Sequence, residues 1–251
     1  MESAVQEQSD KSPSNPLLER LFSVGAHLGY SRSRRHPSVS SYIFGVKNRV
    51  EIFDLEKTAD LLREASSFVE DLGSKGGKIL FVGGKNEARG LIRTVGLELG
   101  MPYVAGRWIG GTLTNFSEIK KRIDRLEELI DKRDKGELSS RYTKREQVLF
   151  DREIADLKEH FEGLIPLSEL PQALFVVDPR HEQTAVREAK GKNIPVIALL
   201  NSDCDAGLIE YPMVGNDASF KSIEFFVDEM RQAYRRGEMK RAEVKTAAAS
   251  S

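Results

Sequence analysis

Two stretches of this chain carry residue types suited to holding a phosphate, another anion or a stacked ring. From Ala105 to Phe116 the order Ala-Gly-Arg-Trp-Ile-Gly-Gly-Thr-Leu-Thr-Asn-Phe sets the only tryptophan and an arginine beside a glycine pair and short polar residues. Two glycines let a backbone approach another molecule closely. Arg107 and Trp108 offer charge and a stacking face, and Thr112, Thr114 and Asn115 form hydrogen bonds without bulk. The partner implied is a phosphate-bearing small molecule, a nucleic acid, or another part of the same protein. The second stretch, Lys78-Ile-Leu-Phe-Val-Gly-Gly-Lys-Asn86, places Gly83 and Gly84 at a strand end ahead of a helix whose first turn could hold an anion. An alternative reading makes it the phosphate loop of a sugar-phosphate or nucleotide-binding enzyme, but neither GxGxxG nor GxxxxGK[ST] is present and glycines at strand-to-helix turns are usually structural.

Other chemistry has less to build on. No serine lies in GxSxG, and the single cysteine, Cys204, sits between Asp203 and Asp205, which raise a thiol pKa. One cysteine precludes an intramolecular disulfide and a multi-cysteine zinc site. His27 with Asp178, Asp203, Asp205 and Asp217 could converge on one cation at a sheet edge, but aspartates in such places more often cap helices. No enzymatic activity, cofactor or metal is therefore assigned. The 38 basic and 39 acidic residues give a net charge of -1, which offers no global case for a nucleic-acid partner. Their distribution does. Between Leu21 and Val50 there is no Asp or Glu, while Arg32, Arg34, Arg35, Lys47 and Arg49 fall there, a segregated basic patch of the kind that meets phosphates.

The elements that must position these residues follow from periodicity. Short β-branched or aromatic runs at Val50 to Phe53, Lys78 to Val82, Pro102 to Val104, Ala173 to Val177 and Ile194 to Leu199 alternate with helical faces. Leu62, Ala65, Val69 and Leu72 mark one face, and Ala88, Leu91, Ile92, Val95 and Leu99 a second. Ala185, Val186 and Ala189 mark a third, and Ile223, Phe226, Val227, Met230 and Tyr234 a fourth. Such alternation predicts a parallel sheet covered by helices on both faces. It breaks at 117–161, where Ile119, Ile123, Leu126 and Ile130, then Phe150, Ile154, Leu157 and Phe161, form two heptad-like ladders around a polar turn at Gly136 to Ser140. Thr143 and Glu146 form a capping-box signature for the returning helix. An inserted antiparallel coiled-coil hairpin is expected. The divisions are a flexible arm at 1–16, an α/β domain at 17–116 and 162–236, the hairpin at 117–161 and a flexible tail at 237–251. No apolar run approaches the roughly 18 residues that span a bilayer, and the polar N-terminus is unlike a signal or transit peptide, so a cytoplasmic protein with no membrane partner is expected.

Read in order, several blocks resemble one family, the bacterial small-subunit ribosomal protein S-two. They are Gly25-Ala-His-Leu-Gly29, Tyr42-Ile-Phe-Gly-Val-Lys-Asn-Arg49, Ile52-Phe-Asp-Leu-Glu-Lys-Thr58 and, most closely, Arg107-Trp-Ile-Gly-Gly-Thr-Leu-Thr-Asn-Phe116. After the hairpin come Leu170 to Asp178, Ala185 to Ala189, Ile194 to Ala198 and Tyr211 to Asp217. The resemblance covers about residues 17 to 236. Tyr30, Gly84, Asn86 and the run Asn201 to Gly207 depart from the family pattern. The resemblance implies a flavodoxin-like parallel sheet with a protruding coiled coil. It also implies a structural, non-enzymatic role in translation, bound to small-subunit ribosomal RNA and to other small-subunit proteins, including the large protein S-one. A-form RNA hides its major groove, so phosphates, 2'-hydroxyls and shape would be read. The contacts then expected are Arg32, Arg34, Arg35, His36, Lys47, Asn48, Arg49, Arg107, Trp108, Thr112 and Asn115, extended along the hairpin by Lys120 and Lys121.

Overall fold

The stretch near the N-terminus folds into a small sheet of its own, with Arg32–Arg34 in a 3-10 turn between its first two strands. The structure, a computed structural model, describes residues 15–249. Asn15 caps α1 (Pro16–Ser23) by accepting from Leu17 N–H, with proline at the first helical position. Strands β1 (Leu28–Ser31), β2 (Ile43–Lys47) and β3 (Val50–Phe53) then pair antiparallel in the order β1-β3-β2. Only Asn48 and Arg49 separate β2 from β3, at φ 51° and 66°. Two residues can join only antiparallel neighbours, and paired positive φ values give the mirror-image turn that matches strand twist. Val50 to Phe53, expected among the parallel strands, is thus the centre of this separate sheet.

The main sheet holds five parallel strands in the order β5-β4-β6-β7-β8: β4 (Ile79–Val82), β5 (Tyr103–Val104), β6 (Ala173–Val177), β7 (Val196–Leu200) and β8 (Tyr211–Val214). This is the doubly wound order of flavodoxin-like sheets, with its switch point between β4 and β6. Both faces are covered, which is why β4, β6 and β7 read as continuous apolar runs. Leu80, Val82, Leu174, Val176, Ala198 and Leu200 face one core with Trp108, Leu113 and α7 (Gln183–Gly191). Ile79, Phe81, Phe175, Val177, Ile197 and Leu199 face the other, under α1, α2 (Leu55–Lys75), α3 (Asn86–Leu99) and α8 (Phe220–Ala249). Each large side chain so buried is worth about 1.5–3 kcal/mol before entropy is counted.

Helix α8 corrects the expected tail. It runs through Ala249, and Gly237 within it lies so close on α2 that a Cβ would strike the Glu70 carbonyl. Arg236 pairs with Glu70 at 3.0 Å and Lys240 also pairs with Glu70. Residues 250–251 and most of the expected arm, 1–14, lie outside the described residues. Within 117–161 there are three helices, α4 (Phe116–Asp134), α5 (Glu137–Arg141) and α6 (Lys144–Phe161). The Thr143–Glu146 capping box is formed. Ile119, Ile123 and Leu126 of α4 and Ile154, Leu157 and Phe161 of α6 are buried, and Arg125 grips Glu153 at 2.9 and 3.2 Å. Leu129 takes the inward place expected of Ile130, which is only partly buried. A helix of 3.6 residues per turn drifts from a strict seven-residue ladder. At the polar turn Gly136 is left-handed and α5 follows, with Leu138 buried.

Candidate nucleic-acid interface

The Trp108–Asn115 loop is organised by one carboxylate. Glu188, on the buried stripe of α7, accepts from Trp108 Nε1 at 3.0 Å and Gly111 N–H at 2.8 Å through Oε1. Through Oε2 it accepts from Leu113 N–H at 3.0 Å, Thr114 N–H at 3.1 Å and Thr114 Oγ1 at 3.0 Å. Gly111, at φ 93°, supplies the left-handed bend that turns its N–H inward. Successive amides at a helix start make an anion-binding nest, and here the anion belongs to the chain. Burial pushes the Glu188 carboxyl up, and the indole and the amides of Gly111, Thr114 and Leu113 outweigh it, leaving it below the usual range. Two expected contacts are corrected by this. Trp108 is 8 % exposed with its N–H directed at Glu188, and Thr112 is 1 % exposed with its hydroxyl donating to Ile109 O. Arg107 and Asn115 remain exposed, and Asn115 makes no side-chain cap although it stands at the start of α4.

The other glycine pair is also filled from within. Gly84 N–H donates to Glu182 Oε1 at 2.9 Å, and Glu182 is 3 % exposed and touches His181 Nδ1 at 2.8 Å. A phosphate there would meet a carboxylate already holding the amide, so the phosphate-loop enzyme is set aside. Beside it, at the switch point, Lys85 Nζ lies 3.2 Å from Asp178 Oδ2, 3.2 Å from Asp217 Oδ2 and 3.3 Å from Tyr30 OH. Burial works against the Lys85 charge, but Asp217, Asp178 and Tyr30 together hold the ammonium protonated. Asp217 is fully buried; burial first and Asp178 second push its carboxyl up to about 6, against Lys85 and Asn201. The cation that two of these carboxylates face is thus the chain's own lysine. Asp203 pairs with Arg180 at 2.7 Å, and His27 stacks on Phe22 with its Nδ1 buried and unbonded, its pKa lowered by burial. Among the described residues no three His, Cys, Asp or Glu side chains are grouped to hold a metal. Cys204 is a buried thiol pushed up by burial and by Asp178, Asp203 and Asp217.

The expected cations divide. Arg32, Arg34, Lys47 and Arg49 are exposed and have no ion-pair partner among the described residues; Arg34 lies over the Tyr30 ring at 5.4 Å. Asn48 is exposed beside them at the turn. Arg35 instead faces Glu51 at 3.4 Å, a fully buried carboxylate one residue beyond the acid-free stretch. His36 hydrogen-bonds Ser38 and faces Asp205 at 3.7 Å. Lys120 and Lys121 pair along their own helix with Asp124 at 3.0 Å and Glu118 at 2.6 Å, exposed pairs worth little. Sequence reasoning missed Glu188, Glu182 and Lys85. The one usable signal was Glu188 itself, a charge inside the Ala185-Val186-Ala189 stripe.

The crevice and glycine loops of this doubly wound sheet are thus closed by its own side chains, and its unpaired cations lie exposed on a hairpin and a loop. The profile of the family described as Ribosomal protein S2 matches residues 21–237. A protein of Thermus thermophilus named small ribosomal subunit protein uS2 is 42 % identical over 215 residues, 86 % of this chain and 84 % of that protein. Its namesake from Maridesulfovibrio salexigens is 38 % identical over 228 residues, 91 % and 88 % of the two chains. The chain belongs to the ribosomal protein S2 family, structural proteins of the small ribosomal subunit and not enzymes.

Proposed function

We propose that this protein binds small-subunit ribosomal RNA from the cytoplasm through the small antiparallel sheet, with Arg32, Arg34, Lys47 and Arg49 on phosphates and Asn48 beside them. The observation that carries the reading is Arg49. A left-handed backbone costs a non-glycine residue about 1–2 kcal/mol, and the chain bears it at an exposed turn where glycine would be cheaper. Strain held at a surface charge points to use of that charge. Arg107 and Asn115 add a second contact at the start of α4, and Arg35 and His36, held by acids, position the loop more than they neutralise phosphate. The helices α4 and α6 act as an antiparallel coiled coil whose place is set by the Glu188 lock, with Lys120 and Lys121 along it. The same protein supports attachment of the large ribosomal protein S-one.

Salt dependence tests the RNA reading. Four phosphate contacts give a slope of log affinity against log salt of about 3 to 4 in magnitude. Arg34→Ala with Arg49→Ala lowers it by about 1.5 without changing the melting temperature. A slope near zero in the parent protein refutes the reading.

A further inference from the structure

A groove of about 540 Å³ lies between the Arg34–His36 loop, α7 and the turn after β7. Its rim sets Arg34, Arg180, Arg187 and Lys190 against Asp203 and Asp205. Asp203 is held by Arg180 at 2.7 Å, and Asp205 accepts from Gly207 N–H at 3.0 Å and faces His36. Arg34, Arg187 and Lys190 have no ion-pair partner among the described residues, and all three are exposed. The floor is aliphatic: Val186 and Ile209 are buried, and Leu208 is 40 % exposed.

Free cations over an aliphatic floor fit a nucleotide turned out of its helix. Its phosphate takes the cations, and its base covers apolar surface that a fully paired helix would leave wet. We propose that this groove receives one unpaired nucleotide of RNA. Arg34, Arg187 and Lys190 hold its phosphate, and its base rests on Val186, Leu208 and Ile209. The proposal rests on the RNA-binding reading above and adds to it a further, structure-selective contact on α7.

The test uses the full chain with two labelled RNA hairpins, one fully paired and one with a single bulged nucleotide, followed by fluorescence anisotropy over a range of salt. The parent protein binds the bulged RNA about fivefold to tenfold tighter, the gain from covering a few tens of Å² of aliphatic surface. Arg187→Ala with Lys190→Ala removes about 1.5 from the salt slope for the bulged RNA, and Leu208→Ser abolishes the preference while leaving the paired RNA unaffected. All three sites are exposed, and unchanged melting checks that the variants fold. The proposal is overturned if the parent shows no preference or if the preference survives both changes. Should Arg32→Ala with Arg49→Ala weaken both RNAs while the groove variants behave as the parent, RNA binding stands and the groove does not. Should the parent bind neither RNA, both fail.

Discussion

Replacing Glu188 should loosen the loop and the helices it anchors more than any change at an exposed cation. Glu188→Ala leaves four N–H donors without their acceptor: Trp108 Nε1 and the amides of Gly111, Leu113 and Thr114. A buried donor left unsatisfied costs about 1–3 kcal/mol. Gly111 and Thr114 are partly open and can find water, whereas Trp108 and Leu113 are buried. The two buried donors together therefore cost about 3–5 kcal/mol. For a chain of this size that lowers Tm by about 6–20 °C. Glu188→Gln keeps an acceptor for Trp108 and Gly111 but turns an NH2 toward Leu113 and Thr114, a cost of about 2 kcal/mol. Trp108 is the only tryptophan, so its emission during a urea titration reports the same loop. In Glu188→Ala that emission should move to the red before the global transition, as the indole gains water. An alanine variant within about 1 kcal/mol of the parent, with unchanged emission, would refute the idea that this carboxylate organises the loop.

Lys85→Met, which strands Asp178 and Asp217 without their cation, should cost about 3–5 kcal/mol by urea unfolding at neutral pH. Asp217, with a folded value of about 6 against an unfolded value near 3.9, binds its proton in the native state across that interval. Its contribution is thus full below the unfolded value and lost as pH rises through about 6, and Asp217→Asn should remove that slope from the urea midpoint. Glu188, held low, acts oppositely: its contribution is present above its unfolded value and is lost as pH falls through the folded one, so Glu188→Gln should flatten the acid limb of the stability profile. Gly237→Ala gains about 1 kcal/mol of helix propensity but drives a Cβ into the Glu70 carbonyl, so thermal melting should show a net loss of about 1–2 kcal/mol.

What could be read from residues was governed by whether the deciding partner lay nearby in the chain. The runs Ile79–Val82, Ala173–Val177 and Val196–Leu200 announce a doubly covered sheet because burial on both faces leaves no polar alternation. Thr143 and Glu146 are three residues apart, so the cap between them is local and legible. Trp108 was misread because the carboxylate that turns its indole inward is 80 positions away. The roles of Gly84 and Lys85 are illegible for the same reason, since Glu182, Asp178 and Asp217 reach them only once the sheet has closed. Arg35 was counted as free because the acid-free stretch ends just before Glu51, which folds back beneath it. β1 and β2 carry little alternation to read, because a glycine breaks each strand and Phe44 and Val46 face solvent. The end of α8 reads as a tail in the sequence because its contact with α2 runs through a glycine and ion pairs, and no apolar stripe marks it.

Sedimentation of a cell extract through a low-salt gradient tests the central claim most directly. The parent chain should run with the small ribosomal subunit. A variant with Arg32, Arg34, Lys47 and Arg49 changed to Ala should melt as the parent does and stay at the top of the gradient. A parent chain absent from the small-subunit fraction, or a quadruple variant that remains there as salt is raised, would contradict the assignment of RNA binding to the β1–β3 sheet.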